Sequence, residues 1–162
     1  MTEITLTVNG VERTLEVEPR RLLADVLRQE FGCFGVHIGC AHGGCGCCTV
    51  RVEGAPRLAC LSFAVQCDGQ SLATVEGLAE DGRLHPLQQA FIDEHGLQCG
   101  FCTPGYIMAL IDFVETADDP SDTEIRRAMA GNLCRCTGYQ TIVSAVRAAI
   151  ARRTATGPGD HG

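Results

Sequence analysis

Residues 39–48 read GCAHGGCGCC, with four cysteines and four glycines in ten positions. So many thiols on so pliable a backbone point to a metal centre. Cys40, Cys45 and Cys48 stand as C-x4-C-x2-C, and Cys60 follows at a distance. That is the spacing of a plant-type [2Fe–2S] site. Each iron needs two thiolates, and the core with its four thiolates formally carries about two negative charges. With no cation adjacent in the sequence, backbone N–H groups must stabilise that charge. Glycines at 39, 43, 44 and 46 allow positive φ and let N–H groups approach sulfur closely. A structural zinc site also uses four cysteines, but it groups them as C-x2-4-C knuckles, so this group favours iron–sulfur over zinc.

Outward from this loop the pattern is that of a sheet crossed by a helix. Residues 3–8 (EITLTV) and 12–17 (ERTLEV) alternate as strands, joined at Asn9-Gly10, a strong hairpin signal. Leu22, Leu23, Val26, Leu27 and Phe31 recur at helical spacing. Beyond the loop, CTVRVEG and RLACLSFAVQC are expected to be strands. From about residue 76 the grammar changes. EGLAEDGRLHP reads as a linker, and four helical patterns follow: HPLQQAFIDEH, TPGYIMALIDFVETA, SDTEIRRAMAG and YQTIVSAVRAAIARR. Thr103 is expected to cap the second of them with Pro104 at its first helical position, and Ser121 with Glu124 offers a capping box for the third. TATGPGDHG is expected to be a loose tail. The domains expected are 1–77, 78–155 and a flexible tail over 156–162. No internal repeat is evident.

Composition narrows the function classes. With 162 residues the chain can bury a real core, and 45% hydrophobic with 20% charged residues is ordinary for a globular protein. The longest apolar stretches fall far short of the ~20 residues of a membrane span. A net charge of −7 without a cluster of basic residues disfavours nucleic acid as a partner. The strand-like start lacks a secretory signal, so a cytoplasmic protein is expected. In that reducing compartment, eleven cysteines favour metal binding over disulfides.

A second group comprises Cys99 and Cys102 in LQCGFCTPG, and Cys134 and Cys136 in GNLCRCTGY. The first two precede a helix start, whose free N–H groups favour negative charge. The other two would diverge by about 200° on a helix, so a non-helical turn between the third and fourth helical patterns is expected. Spacing alone leaves zinc and iron open for this group. His42 lies inside the ligand loop, but four cysteines already satisfy a cluster, so a loop-surface role is expected. His37 and His85 carry no specific signal. Cys33 and Cys67 are expected to be small buried hydrophobes. There is no acid–base or nucleophilic constellation and no G-x-G-x-x-G loop, so no catalytic residue is assigned to this chain.

GCAHGGCGCCTV, LQCGFCTPG and NLCRCTGY, in this order, closely resemble the small iron–sulfur subunit of molybdenum hydroxylases, the family of xanthine dehydrogenases and aerobic carbon monoxide dehydrogenases. The likeness spans residue 3 to about 150. It implies an α+β chain: an N-terminal β-grasp ferredoxin-like domain with one [2Fe–2S] cluster, then a C-terminal four-helix bundle domain with another. It implies that Cys40, Cys45, Cys48 and Cys60 bind the cluster nearer FAD, and that Cys99, Cys102, Cys134 and Cys136 bind the one nearer molybdenum. Gln98 then corresponds to a glutamine that hydrogen-bonds the pterin. The partners implied are a large subunit with the molybdenum pterin and a medium one with FAD, expected as a dimer of heterotrimers. Cys47 departs from the family pattern, which has a small residue such as alanine there. It is expected to pack as alanine would, rather than compete with Cys48. The rival readings are a free-standing ferredoxin-like carrier and a zinc-stabilised interaction module.

Overall fold

The computed structural model describes residues 1–156, so the tail expected over 156–162 lies, beyond Thr156, outside the described residues. Asn9 and Gly10 turn the chain with φ of 50° and 79°, the left-handed pair a two-residue hairpin requires. The turn joins β1 (Thr2–Val8) to β2 (Val11–Val17) in a register running from Thr2↔Val17 to Val8↔Val11. Ile4, Leu6 and Val8 alternate inward on β1, while β2 keeps little but Val17 buried, as an edge strand can.

Across the sheet lies α1 (Leu23–Gln29), burying Leu23, Ala24, Val26 and Leu27. The thiol loop follows. β3 (Thr49–Val52) then pairs antiparallel with β4 (Ala55–Leu58), and β5 (Ser71–Ala73) lies between β1 and β3 in the order β2-β1-β5-β3-β4. β5 runs parallel to β1 and antiparallel to β3.

Two local expectations are corrected. RLACLSFAVQC is not a strand beyond Leu58: it forms 3₁₀ turns at Ala59–Leu61 and Ala64–Cys67. The reason lies in α1. Ser62 O accepts from Leu23 N–H at 2.8 Å and Arg21 O from Ala64 N–H at 2.9 Å, so this segment closes the start of α1 instead of extending β4. Ala59, Cys60, Ala64 and Cys67 are small enough to fill the space beneath. Thr103 does not cap its helix either. Cys102 is already αR and serves as N-cap, so Thr103 is the first helical residue.

The second half holds α2 (Pro86–Asp93), α3 (Thr103–Thr116), α4 (Asp122–Ala128) and α5 (Gln140–Thr156), the four helices expected. The Ser121/Glu124 capping box forms, with Ser121 N–H donating to Glu124 Oε2 at 2.8 Å. A second box starts α2: Leu87 N–H donates to His85 Nδ1 at 3.2 Å and His85 N–H to Gln88 Oε1 at 2.9 Å. These helices share one core around Phe91, Tyr106, Leu110, Ile125 and Ile142. The sheet and α1 share another around Ile4, Leu6, Leu23, Leu27 and Leu72, which also takes in Cys33 and Cys67. The molecule is thus an α+β chain, a mixed sheet under one helix followed by four helices.

Candidate metal centres

The loop between α1 and β3 wraps so that its N–H groups face sulfur. Cys40 is held down at about 6, below the ordinary thiol value of 9.0, first by the N–H of His42 and then by the Cys45 thiol and the N–H groups of Cys45 and Gly44. Gly43 N–H faces Cys60, though burial and the neighbouring Cys48 push that thiol up to about 12. Positive φ at Gly43 (86°) and Gly46 (70°) gives the wrap its shape. Among the four expected ligands Cys40 neighbours Cys45 and Cys48 neighbours Cys60, while Cys45 also lies beside the thiol of Cys47. Cys48 and Cys60 are buried, while Cys40 and Cys45 lie nearer the surface.

The second group assembles at helix ends. Cys99 and Cys102 come from the turn that starts α3, Cys134 and Cys136 from the non-helical turn between α4 and α5. Cys99 and Cys136 bring their sulfurs to 3.4 Å, and Cys102 contacts Cys134. The first pair is exposed and the second buried. The N–H of Phe101, followed by the Cys136 thiol, lowers Cys99. Its partner Cys136 is raised, first by the hydrogen bond it shares with Cys99. Burial, then the neighbouring Cys134, pushes Cys102 up to about 12. Burial would also raise Cys134, yet the Thr137 hydroxyl, 3.1 Å from its sulfur, and the N–H groups of Thr137 and Cys136 bring it down.

These arrangements fit a two-iron cluster. Among the described residues, no three or more His, Cys, Asp or Glu side chains are disposed to hold one metal ion. The thiols stand in pairs instead, and backbone N–H groups point at the sulfurs, as a cluster with two thiolates per iron and net negative charge requires.

The two groups meet at a seam that local sequence patterns do not show. Leu133 N–H donates to Cys45 O at 2.9 Å. Asn132 Nδ2–H donates to Gly46 O at 3.0 Å, and Asn132 O accepts from the Tyr106 hydroxyl at 2.7 Å. A Cβ on Gly105 would lie 2.3 Å from Gly46 O and 2.8 Å from Cys47 Cα. Cys47 itself is 4% exposed and belongs to the helical core, its thiol pushed up to about 12 by burial and then by the Cys45 thiol. It packs as a small buried residue, as expected. Gln98 and His42 are exposed, each beside a thiol of its own group.

A thiol group in each half suits an iron–sulfur electron carrier with two centres, and comparison with known proteins takes this further. Residues 6–73 match the 2Fe-2S iron-sulfur cluster binding domain and residues 74–147 the [2Fe-2S] binding domain. Over 148 residues the chain is 55% identical to caffeine dehydrogenase subunit gamma of Pseudomonas sp. (strain CBB1), covering 89% of this chain and 88% of that one. It is 51% identical over 144 residues to the nicotine 6-hydroxylase small subunit of Paenarthrobacter nicotinovorans, covering 89% and 87%. Its fold superposes on quinoline 2-oxidoreductase from Pseudomonas putida 86 with a TM-score of 0.89 at 46% identity, over 96% of this chain and 97% of that one. The chain belongs to the small iron–sulfur subunits of molybdenum hydroxylases. It is an oxidoreductase subunit with two [2Fe–2S]-binding domains and an electron-transfer role.

Proposed function

We propose that Cys40, Cys45, Cys48 and Cys60 hold one [2Fe–2S] cluster and that Cys99, Cys102, Cys134 and Cys136 hold the other. The thiol contacts support a division into Cys40/Cys45 and Cys48/Cys60 in the first, and into Cys99/Cys136 and Cys102/Cys134 in the second. When bound, each cluster takes up and releases one electron at a time.

This chain's residues supply direction. Cys99 and Cys136 face outward beside the exposed Gln98, so that end is the entrance from the molybdenum pterin. An amide suits a pterin because it offers both donor and acceptor. Cys102 and Cys134 are buried, and Cys102 lies toward Cys47. The observation that carries this reading is the 2.9 Å hydrogen bond from Leu133 N–H to Cys45 O, which joins the residue before Cys134 to a thiol residue of the first group. The exit lies at the Cys40 loop, toward FAD.

The assembly proposed comprises a large molybdenum-pterin subunit and a medium FAD subunit with this chain, two such heterotrimers pairing in the cytoplasm. Family membership supports the subunits, and eleven cysteines free of disulfides suit a reducing compartment. The domains proposed are 1–77 and 78–155.

Native purification followed by metal analysis and electron paramagnetic resonance (EPR) of the reduced complex tests this. Co-purifying molybdenum, with iron and acid-labile sulfide for two clusters and two distinct signals, is the expected result. A colourless zinc protein without sulfide, or a monomer shuttling electrons with no molybdenum-containing partner, would sink it.

A further inference from the structure

Segment 34–39, between α1 and the first thiol loop, reaches across to the second thiol group. The Arg28 guanidinium fixes it, donating to Phe34 O at 2.8 Å and Val36 O at 3.0 Å, and the side chain of Val36 is buried in the sheet core. His37 then lies with its ring stacked on Phe101, centroids 4.5 Å apart and planes 13° from parallel. His37 Nδ1 stands 2.7 Å from Phe101 O. Because a carbonyl only accepts, the proton must be on Nδ1, which assigns the tautomer. Two positions on, a Cβ at Gly39 would meet both Cys45 Sγ and the Phe101 ring at 3.2 Å. The segment is therefore wedged between the two thiol groups.

Phe101 sits between Cys99 and Cys102, and both of its peptide units serve sulfur. Its own N–H faces Cys99. Its C=O shares a peptide unit with Cys102 N–H, which faces the Cys102 sulfur. A hydrogen bond accepted by that C=O polarises the unit and strengthens the N–H at its other end. The stack and the hydrogen bond together anchor residue 101 at both its ring and its carbonyl, and so restrain the backbone that carries the first N–H.

We propose that His37 is a positioning residue for the second centre, aiming the Phe101 and Cys102 N–H groups at sulfur and so raising the reduction potential of the cluster held there. Hydrogen bonds to sulfur favour the more negative, reduced cluster, which sets the sign. The proposal rests on the ligand assignment above.

The test is an EPR-monitored redox titration of the purified complex carrying His37→Ala, His37→Phe or His37→Asn. His37→Ala is expected to shift the oxidised-to-reduced ratio of the second cluster roughly tenfold toward oxidised, a fall of about 59 mV for a one-electron couple. The first cluster's midpoint should stay in place. His37→Phe keeps the stack and His37→Asn keeps a donor nitrogen, so each is expected to fall between wild type and His37→Ala. An unmoved second midpoint in all three variants, or equal shifts of both clusters, overturns the proposal. Failure of the ligand assignment would look different, as a missing iron–sulfur signal in the unsubstituted complex.

Discussion

Gly105 and Gly131 look alike in the sequence, and the structure separates them. Gly105 is the third residue of α3, where Gly→Ala alone would favour the helix by about 1 kcal/mol. The added Cβ, however, would sit 2.3 Å from Gly46 O, 2.8 Å from Cys47 Cα and 3.1 Å from Cys47 C. All three are backbone atoms, so no side chain can rotate away and the seam between the two thiol groups must open. Overpacking costs roughly 1–3 kcal/mol, and contacts with backbone belong at the upper end. Taking about 3 kcal/mol against a helix gain of about 1, Gly105→Ala should destabilise the protein by about 2 kcal/mol. For a chain of this size that lowers Tm by about 4–8 °C. At Gly131 a Cβ meets nothing within 4 Å and φ is not left-handed, so Gly131→Ala should be neutral or stabilising by up to about 1 kcal/mol. Thermal unfolding of the two variants, followed by circular dichroism and by loss of visible absorbance, makes the comparison. A Gly105→Ala protein as stable as wild type would refute the close packing of α3 on the Gly46–Cys47 backbone.

Three further outcomes are expected. Cys47→Ala should retain the iron content and visible spectrum of both clusters while Cys48→Ala loses the first cluster; the reverse pattern would overturn the ligand assignment. Tyr106→Phe removes the donor to Asn132 O at the buried seam, and chemical denaturation should show a loss of about 1–3 kcal/mol. In protein stripped of iron, iodoacetamide with peptide mapping should label Cys40 and Cys99 well before Cys60 and Cys102. For Cys40 labelling should fall to half near pH 6. Because its folded value is depressed, the stability linked to its thiolate is fully present above the ordinary value of 9.0 and is lost as pH falls through about 6. Equal labelling of all four thiols at neutral pH would contradict the N–H cradle.

What could be read from the sequence is what is decided locally. The Asn9-Gly10 hairpin, the Ser121 capping box and the C-x4-C-x2-C triplet each depend on residues within a few positions of one another, and backbone geometry leaves them few alternatives. β5 leaves no mark in the sequence because three residues are too few to show alternation, and its place beside β1 comes from pairing across the chain. RLACLSFAVQC looked like a strand because apolar composition cannot reveal that Ser62 O and Ala64 N–H are engaged by the start of α1. His85 carried no signal because any polar acceptor before Pro86 could have capped α2.

The second thiol group shows the same division more sharply. C-x2-C and C-x-C were each visible, but the contact of Cys99 with Cys136 across 37 positions is set by how α3, α4 and α5 pack, not by either motif. The seam is one step further removed. Asn132 reaches Gly46 across 86 positions, and no spacing rule connects them. Cys47 lies at the crossing of these two kinds of information. Its place between Cys45 and Cys48 assigns it by sequence to the first ligand loop, whereas its side chain is buried in the core of the helices. Gly105 leaves room for that crossing, since any larger residue at 105 would collide with the Cys47 backbone. The density of thiols in residues 39–48 thus reflects two demands on one loop. On the proposed assignment three of its cysteines bind the first cluster, and the fourth helps fasten the sheet half to the helical half where the two thiol groups approach.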